Sequence, residues 1–158
     1  MPAPPTLPAP MSLLGFAAFW AVISWLLALN GWRQLAQHFR ASTTPPENAA
    51  TFRMLTASLR RTDDISSKVD YRGVLTLCCS PAGLGLAVLF PFRIGHPPLL
   101  VPWSAVGPVQ LETGWFGNTY FTFTVGLPDE TGGVEIRLMN MAAAEQVEAH
   151  QQLQQLGR

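Results

Sequence analysis

The stretch "GVLTLCCSPAGLGLAV", residues 73–88, decides the fold class because two alternating runs flank a single turn. In the first run, Leu75, Leu77 and Cys79 alternate with Val74, Thr76 and Cys78. A period of two is typical of a β-strand. The turn "SPAG" places proline at its second position and glycine where the backbone needs a positive φ. The stretch therefore predicts a β-hairpin and an antiparallel sheet.

Alternating runs continue on both sides of this hairpin. The returning strand is expected to reach Phe92, and "TYFTFTV" at 119–125 has the clearest alternation in the chain. The predicted strands cover 52–61, 73–79, 84–92, 97–103, 106–112, 119–125 and 134–138. Because no strand alternates with a helix, a doubly wound parallel sheet is excluded. The chain is therefore predicted to be mainly β, with about seven antiparallel strands and flanking helices.

A C-terminal helix is expected after the last strand. Asn140 is a good N-cap, and "MAAAEQVEAHQQLQQL" at 141–156 is rich in helix formers and stops at Gly157. Its expected packing face combines Ala142, Ala149, Leu153 and Leu156. Seven antiparallel strands closed by a terminal helix resemble the pleckstrin-homology-like fold. This resemblance implies a barrel over residues 52–158 with the helix closing one end.

Residues 12–29, "SLLGFAAFWAVISWLLAL", carry no charge and are close to the lower end of the length that spans a membrane as a helix. The preceding residues 1–10 hold five prolines and are expected to form a disordered tail. A signal peptide would carry a basic region before the apolar run, and this run has none. A core helix or an in-plane helix would show a polar face, whereas only Ser12 and Ser24 are polar here. The segment predicts one transmembrane helix within residues 11–40.

The residues after the span predict its orientation. Trp32 follows where an interfacial aromatic would lie, and Arg33 and Arg40 come next, whereas no Lys or Arg precedes the span. The positive-inside rule then places the C-terminal domain in the cytoplasm, at the inner membrane. The adjacent Cys78 and Cys79 are expected to be free thiols, which agrees with a reducing compartment.

The segment "GWRQLAQHFR", 31–40, predicts an amphipathic extension of the same helix. Trp32, Leu35, Ala36 and Phe39 form a stripe at helical period. This stripe either lies against the membrane or the domain, or it serves as a docking face for a partner helix. "ASTTPPENAA" then ends the helix and predicts a linker over residues 41–51 that keeps the domain close to the membrane.

Two segments carry a family resemblance. "SPAGLGLAVLFPFRIGHPPLLVPW", 80–103, together with Gly31, Trp32, Leu35, Ala36 and Phe39, resembles small bacterial proteins that have one N-terminal membrane helix and no established activity. "LLVPWSAV", 99–106, is similar to a strand of bacterial pleckstrin-homology and GRAM-type domains. The resemblance implies architecture only.

Charge and motifs narrow the class of function. Ten basic and ten acidic residues cancel, which removes the electrostatic basis for nucleic-acid binding. The sequence holds no phosphate loop, nucleophile elbow or metal-ligand spacing, so we expect no catalytic residue, cofactor or metal. We expect a membrane-anchored interaction module with a protein partner. A lipid-headgroup sensor and an accessory subunit of a membrane complex are the alternatives.

Three groups of residues are candidate sites. Arg93 and His96 interrupt the apolar run 90–103; Arg93 would reach solvent or pair with Glu112 or Glu135, and His96 would bond backbone groups beside Pro97 and Pro98. The alternative is that this pair binds a partner or an anion. Trp115 and Phe116 are expected to be buried as a cap, although exposed they would form an apolar tip. The headgroup candidates are Arg60, Arg61, Lys68 and Arg72, with Trp32 and Arg33 expected at the membrane interface.

Overall fold

Three helices and seven strands form the part of the chain that the computed structural model describes, residues 9–42, 49–128 and 132–156. The helices are α1 (Ala9–Ala28), α2 (Trp32–Phe39) and α3 (Met141–Leu156). The strands are β1 (Ala50–Arg61), β2 (Val69–Ser80), β3 (Gly83–Val88), β4 (Leu99–Val101), β5 (Gln110–Thr113), β6 (Thr119–Gly126) and β7 (Gly133–Leu138). The predicted tail up to residue 8, the linker centre at 43–48 and Gly157 lie outside the described residues.

The strands form one antiparallel sheet in the order β4-β3-β2-β1-β7-β6-β5. This confirms the predicted antiparallel sheet of seven strands and the C-terminal helix. In the hairpin that decides the fold, Cys79 lies opposite Leu84 and Ser80 opposite Gly83. A Cβ atom at Gly83 would lie 2.4 Å from the carbonyl oxygen of Val101, so the approach of β4 requires glycine there. The sheet remains open and does not close into a barrel.

The strand that was expected to reach Phe92 ends at Val88. Residues 90–95 form consecutive turns, because Pro91 has no N–H group with which to continue the ladder. The side chain of Phe90 is exposed instead of lying in the core, and Phe92 packs only partly against the core. Residues 89–98, which join β3 to β4, are called the base loop below.

The predicted continuous helix over 11–40 is wrong, because the chain turns at residues 29–31. Gly31 has a φ of 78°, a conformation that glycine adopts without steric cost. Its ideal Cβ position lies 3.5 Å from Val134 Cγ1 and 3.6 Å from Leu59 Cβ, so the turn is packed against the sheet. The turn directs α2 into the domain rather than along the axis of α1.

The stripe on α2 belongs to the hydrophobic core of the β-domain. Trp32, Leu35 and Phe39 are buried there, so this stripe does not face a membrane or a partner helix. The core therefore begins at Trp32, not at residue 52. The largest fully buried apolar side chains are Trp32, Leu35, Leu59, Leu75, Leu77, Leu84, Leu86, Leu99, Phe123, Ile136 and Leu138.

The start of the predicted linker is fixed to the edge of the sheet. Arg40 forms an isolated antiparallel bridge with Leu99, the first residue of β4. The backbone N–H of Ala41 donates to the carbonyl oxygen of Pro98 at 2.9 Å. These bonds hold the chain after α2 against the end of the base loop.

Helix α3 packs through a face different from the predicted one. Ala143, Ala144 and Val147 are buried, whereas Leu153 and Leu156 are exposed. Small side chains allow the helix axis to approach the sheet closely, which long side chains on the predicted face would prevent. The predicted N-cap is confirmed by a 2.8 Å hydrogen bond from the N–H of Ala143 to Asn140 Oδ1.

Among the described residues, α1 is the one helix that is long and apolar enough to cross a membrane by length and composition. The side chains of residues 11–19 are all exposed. Burial begins in the second half of the helix and is complete at Ser24 and Ala28, which lie four residues apart on one face. The first half of α1 is therefore bare, and the second half packs against the base loop.

Candidate functional site

The hydroxyl of Ser24 joins α1 to the base loop. Its single hydroxyl proton is shared between the carbonyl oxygens of Phe92 and Ile94, which lie 2.8 Å and 2.9 Å from Oγ. Ser24 is fully buried at this contact. An otherwise apolar helix face thus carries one polar group, and that group bonds two carbonyls of a loop 68 and 70 positions away.

Aromatic and close backbone contacts extend this junction in both directions. The Phe92 ring lies against the Trp20 ring with 4.9 Å between centroids. Toward the helix end, a Cβ atom at Gly95 would lie 3.1 Å from Ala28 Cβ and 3.2 Å from Trp25 Cα. Gly95 also has a φ of 80°, so both its conformation and its close approach favour glycine.

His96 attaches the other side of the base loop to the sheet. Its Nε2 lies 2.9 Å from the hydroxyl of Tyr71 on β2, and its Nδ1 lies 3.2 Å from the carbonyl oxygen of Ile94. Because the carbonyl only accepts, Nδ1 carries the proton and Nε2 accepts from the tyrosine hydroxyl. The Trp32 ring packs edge-on to His96 with 5.2 Å between centroids, and its indole N–H donates to the Pro97 carbonyl at 3.1 Å.

Burial determines the charge state of this cluster. It lowers the pKa of His96, which favours the neutral imidazole, although the hydrogen bond to the Ile94 carbonyl acts in the opposite direction. Burial also raises the pKa of the Tyr71 hydroxyl, which therefore remains a donor. A cavity of about 200 Å³ adjoins the cluster and is lined by Leu27, Asp70, Tyr71, Arg72, Val74, Phe92 and His96. Both ring nitrogens of His96 are already bonded, so the imidazole connects elements of the fold.

Arg93 and His96 do not act as a pair. His96 is buried, whereas Arg93 is exposed on the same loop. The two carboxylates expected to pair with Arg93 are occupied, since Glu112 binds Arg137 and Glu135 binds Arg60. Arg93 has no carboxylate partner within residues 9–42, 49–128 and 132–156.

Trp115 and Phe116 lie at the tip of the β5–β6 hairpin, residues 114–118, called the tip below. Their relative exposures are 102% and 93%, so the prediction that they are buried is wrong. The Gly114 N–H donates to the Asn118 carbonyl at 2.8 Å, and Gly117 has a φ of 74°. This tight turn projects both rings beyond the sheet, where no second layer covers them.

The sheet register separates the tip from the α1–α2 junction. Strand β6 leaves the tip at Thr119 and ends at Gly126, which pairs with Gly133. Gly133 adjoins Val134, the residue that contacts the Gly31 turn. Seven residue steps along β6 correspond to about 23 Å, so the tip and the junction lie at opposite ends of this strand.

The headgroup candidates are mostly neutralised. Arg60 pairs with Glu135 at 2.9 Å, Arg61 with Asp63 at 2.5 Å and Lys68 with Asp70 at 3.2 Å. The hydrogen bond from Arg61 holds the pKa of Asp63 below its usual value, so that pair stays charged. Within the described chain, Arg72 is the one member of this set without a carboxylate partner. Lys68 and Arg72 share a groove of about 330 Å³ with Asp70 and Arg137.

The two residues expected at the membrane interface lie in different environments. Trp32 is buried in the core, because the Gly31 turn directs it inward, and so it is not an interfacial aromatic. Arg33 is exposed, and with Arg40 it lines a groove of about 470 Å³ beside the end of α1. Trp25, Ala28, Gly95 and Pro97 line the same groove. Arg33 therefore remains available at the helix end, where a headgroup region would lie.

Sequence reasoning did not find Ser24 and Tyr71 as parts of this site. Ser24 left a signal, since it is a lone polar residue in an apolar helix, but its partners could not be named from the sequence. No group of three or more His, Cys, Asp and Glu residues that could hold a metal ion occurs among the described residues.

Comparisons with known proteins assign no family to this chain. No protein-family model, curated protein or solved structure matches this chain.

Proposed function

We propose that this protein is a single-pass membrane protein whose C-terminal domain is a non-catalytic interaction module. The proposal is based on two exposed apolar surfaces that lie at opposite ends of the folded structure. One surface is the bare first half of α1, and the other is the aromatic tip. A bilayer covers the first surface, and a protein partner covers the second.

The packing of α1 supports an anchor that stays attached to the domain. Its 20 residues correspond to about 30 Å of helix, the thickness of a hydrocarbon core. A signal sequence passes the same test of length, but a signal sequence is removed. Removal here would take away the hydroxyl that bonds Phe92 and Ile94 and the ring that packs on Phe92. Helix α1 is part of the folded structure of the domain.

The flanking charges support a cytoplasmic domain at the inner membrane. Arg33 and Arg40 follow the span and are exposed, whereas no Lys or Arg precedes it in the sequence. Cys78 and Cys79 are free and buried, in agreement with a reducing compartment. Protease added to spheroplasts should leave a C-terminal tag intact, and digestion of the tag without lysis would reverse the orientation.

The order of the elements supports a pleckstrin-homology-like architecture for the domain. Two antiparallel meanders, β1 to β4 and β5 to β7, join through the β1–β7 pair, and α3 follows the last strand. Such a domain provides a rigid support for projecting loops. The tip is its most exposed aromatic loop, and exposed tryptophan and phenylalanine are frequent at the centres of protein interfaces.

We do not propose a catalytic role, because the polar candidates are engaged in structural contacts. His96 bonds Tyr71 and Ile94, and the cations Arg60, Arg61 and Lys68 bind carboxylates. The ion pairs also disfavour headgroup sensing through this set, since one unpaired arginine contributes only about 1 kcal/mol near an anionic surface. The buried α2 stripe disfavours an accessory subunit that docks through Leu35.

The test is co-purification of full-length protein in mild detergent with a paired control. The W115A/F116A variant should lose a partner that the unaltered protein retains, because it removes both exposed rings. Ile65→Ala is the control, since Ile65 is an exposed apolar residue on a different loop, between β1 and β2, and it should retain the partner. If the tip variant and the unaltered protein recover the same proteins, the tip is not the interaction surface.

A further inference from the structure

The base loop exposes apolar side chains next to the membrane helix. Phe90 has a relative exposure of 86% and Ile94 of 48%. On the neighbouring helix, Trp25 and Leu26 are also about half exposed. Isolated exposed apolar residues are ordinary, but these four belong to two elements that are in direct contact.

The contacts of the loop can be ordered by their position along α1. Gly95 lies against Trp25 and Ala28, at the end of the helix. The carbonyls of Phe92 and Ile94 bond Ser24, which is about 6 Å along the axis from the helix end at Ala28. The ring of Phe92 reaches Trp20, about 12 Å from the helix end. The loop therefore runs beside the last two to three turns of the helix.

The length of α1 determines where the membrane must begin. If the loop lay in water, the hydrocarbon core could start only beyond Trp20. Of the described helix, residues 9–19 would then remain for the crossing, roughly 16 Å at about 1.5 Å per residue. This is about half of the roughly 30 Å that a spanning helix needs. A crossing by α1 therefore requires that the hydrocarbon region include the levels of Trp20 and Ser24, and with them part of the loop.

Part of the backbone of the loop is bonded within the protein, whereas the N–H groups of Phe90, Arg93, Ile94 and Gly95 have no backbone partner among the described residues. Non-helical backbone at membrane depth is tolerated where protein buries it, because each unbonded polar group costs several kcal/mol in hydrocarbon. The N–H of Phe92 donates to Leu89 at 2.9 Å, and the N–H of His96 donates to Arg93 at 3.0 Å. The Phe92 and Ile94 carbonyls share the single hydroxyl proton of Ser24, and Pro91 has no N–H to satisfy. Ser24 thus contributes the hydroxyl group with which α1 bonds the backbone of the loop.

We propose that the base loop enters the membrane beside α1, so that lipid acyl chains cover Phe90 and Ile94. Arg93 lies between them, near the level of Ser24, and its long side chain extends to the headgroup phosphates. The domain is then held by two membrane contacts, the spanning helix and the loop, rather than by a tether. This inference rests on the proposed anchor and adds a second membrane-inserted element to it.

The experiment places an environment-sensitive fluorophore at three single positions of the full-length chain. Phe90→Cys reports the loop, Val22→Cys reports an exposed position within α1, and Trp115→Cys reports the tip. All three side chains are exposed, so the substitutions remove little packing. Unaltered protein is the labelling blank, because Cys78 and Cys79 are buried. Each labelled protein is reconstituted in phosphatidylcholine–phosphatidylglycerol vesicles, with and without brominated acyl chains.

The fluorophore at position 90 should show blue-shifted emission, and brominated lipid should quench it as strongly as it quenches the fluorophore at position 22. The fluorophore at position 115 should show neither the blue shift nor the quenching. Quenching at Val22 but not at Phe90 would overturn the inserted loop and leave the anchor intact. Absence of quenching at both Val22 and Phe90 would overturn the anchor as well. Equal quenching at Trp115 and Phe90 would also contradict the inference, because exposure alone would then explain membrane contact.

Discussion

The base loop and the tip both expose aromatic rings, but they differ in what lies behind the rings. Behind Phe90 are a serine hydroxyl, a buried histidine and a packed tryptophan, which connect the loop to α1, α2 and β2. Behind Trp115 and Phe116 is a tight hairpin turn held by its own backbone. The rings at the base loop and at the tip are similarly exposed, but only the base loop is packed against the core.

This difference separates two reasons for an exposed aromatic side chain. At the base, the exposed ring belongs to a packed junction with a helix that is long and apolar enough to cross a membrane. At the tip, the rings can be removed without disturbing any packed neighbour. Substitutions at the base should change stability, whereas substitutions at the tip should change association and leave stability intact.

The largest effect is expected for Trp32→Ala. This side chain is fully buried, contacts Tyr71 and His96, and donates to the Pro97 carbonyl. Its loss should lower the free energy of unfolding by about 3–5 kcal/mol. Denaturant unfolding in detergent micelles measures this, with Arg33→Ala as the exposed neighbour that should change stability by less than about 0.5 kcal/mol. Similar values for the two variants would refute the burial of Trp32.

A smaller loss is expected for Ser24→Ala. The substitution removes the donor to the Phe92 carbonyl, while the Ile94 carbonyl keeps its bond from His96 Nδ1, and it should cost about 1–2 kcal/mol of unfolding free energy. Val22→Ala is the matched control, because Val22 lies on the exposed side of the same helix. An unchanged stability for Ser24→Ala would mean that α1 does not bond the base loop.

The pH dependence of stability should also originate at the base. Burial lowers the pKa of His96 in the folded protein below the value of about 6.5 for an unfolded chain. As the pH falls below about 6.5, the unfolded state binds a proton that the folded state excludes, so stability decreases until the pH passes the folded pKa. Asp70 and Arg72 line the adjoining cavity, and Tyr71 supplies the facing hydroxyl.

Unfolding measured in detergent over a range of about 2.5 pH units that includes this reference value, from about pH 7.5 to about pH 5, checks this expectation. The His96→Gln variant should lose the decrease between pH 6.5 and 5, whereas Arg93→Gln, on the same loop but exposed, should keep it. An equal slope in the unaltered protein and in His96→Gln would assign the pH dependence to other groups.

The smallest change in stability is expected at the tip. The W115A/F116A variant removes two rings that touch no packed neighbour, so the free energy of unfolding should stay within about 0.5 kcal/mol of the original. Thermal or denaturant unfolding measures this change. A loss as large as that of Ser24→Ala would place the rings in a packed environment and would end the contrast with the base.

Much of the fold followed from local periodicity. The strands were predicted because alternating side chains such as those of 73–79 and 119–125 fit a pleated sheet, and Asn140 was predicted as a cap from its residue type. The break between α1 and α2 was missed, because the apolar stripe at helical period begins at Trp32, directly after Gly31. Only the packing of Gly31 against Leu59 and Val134 reveals that the chain turns there.

The candidate site was less accessible to sequence reasoning because its contacts are distant in the chain. Ser24 bonds residues 68 and 70 positions away, and Tyr71 bonds His96 across 25 positions. No local pattern identifies such partners. The prediction of the packing face of α3 was wrong for a similar reason. Whether the helix packs through Ala143 and Val147 or through Ala142 and Leu153 depends on how closely the sheet approaches the helix.

The most direct test of a helix and loop that form one unit is a double-mutant cycle on Trp20 and Phe92. Their rings lie 4.9 Å apart between centroids, and such aromatic pairs interact by about 0.5–1.5 kcal/mol. Unfolding free energies of Trp20→Ala, Phe92→Ala and the double variant should give a coupling energy in this range. The same cycle with Val22 in place of Trp20 should be additive. Strict additivity for Trp20 and Phe92 would contradict the account, because α1 would then be a separate anchor that the domain does not touch.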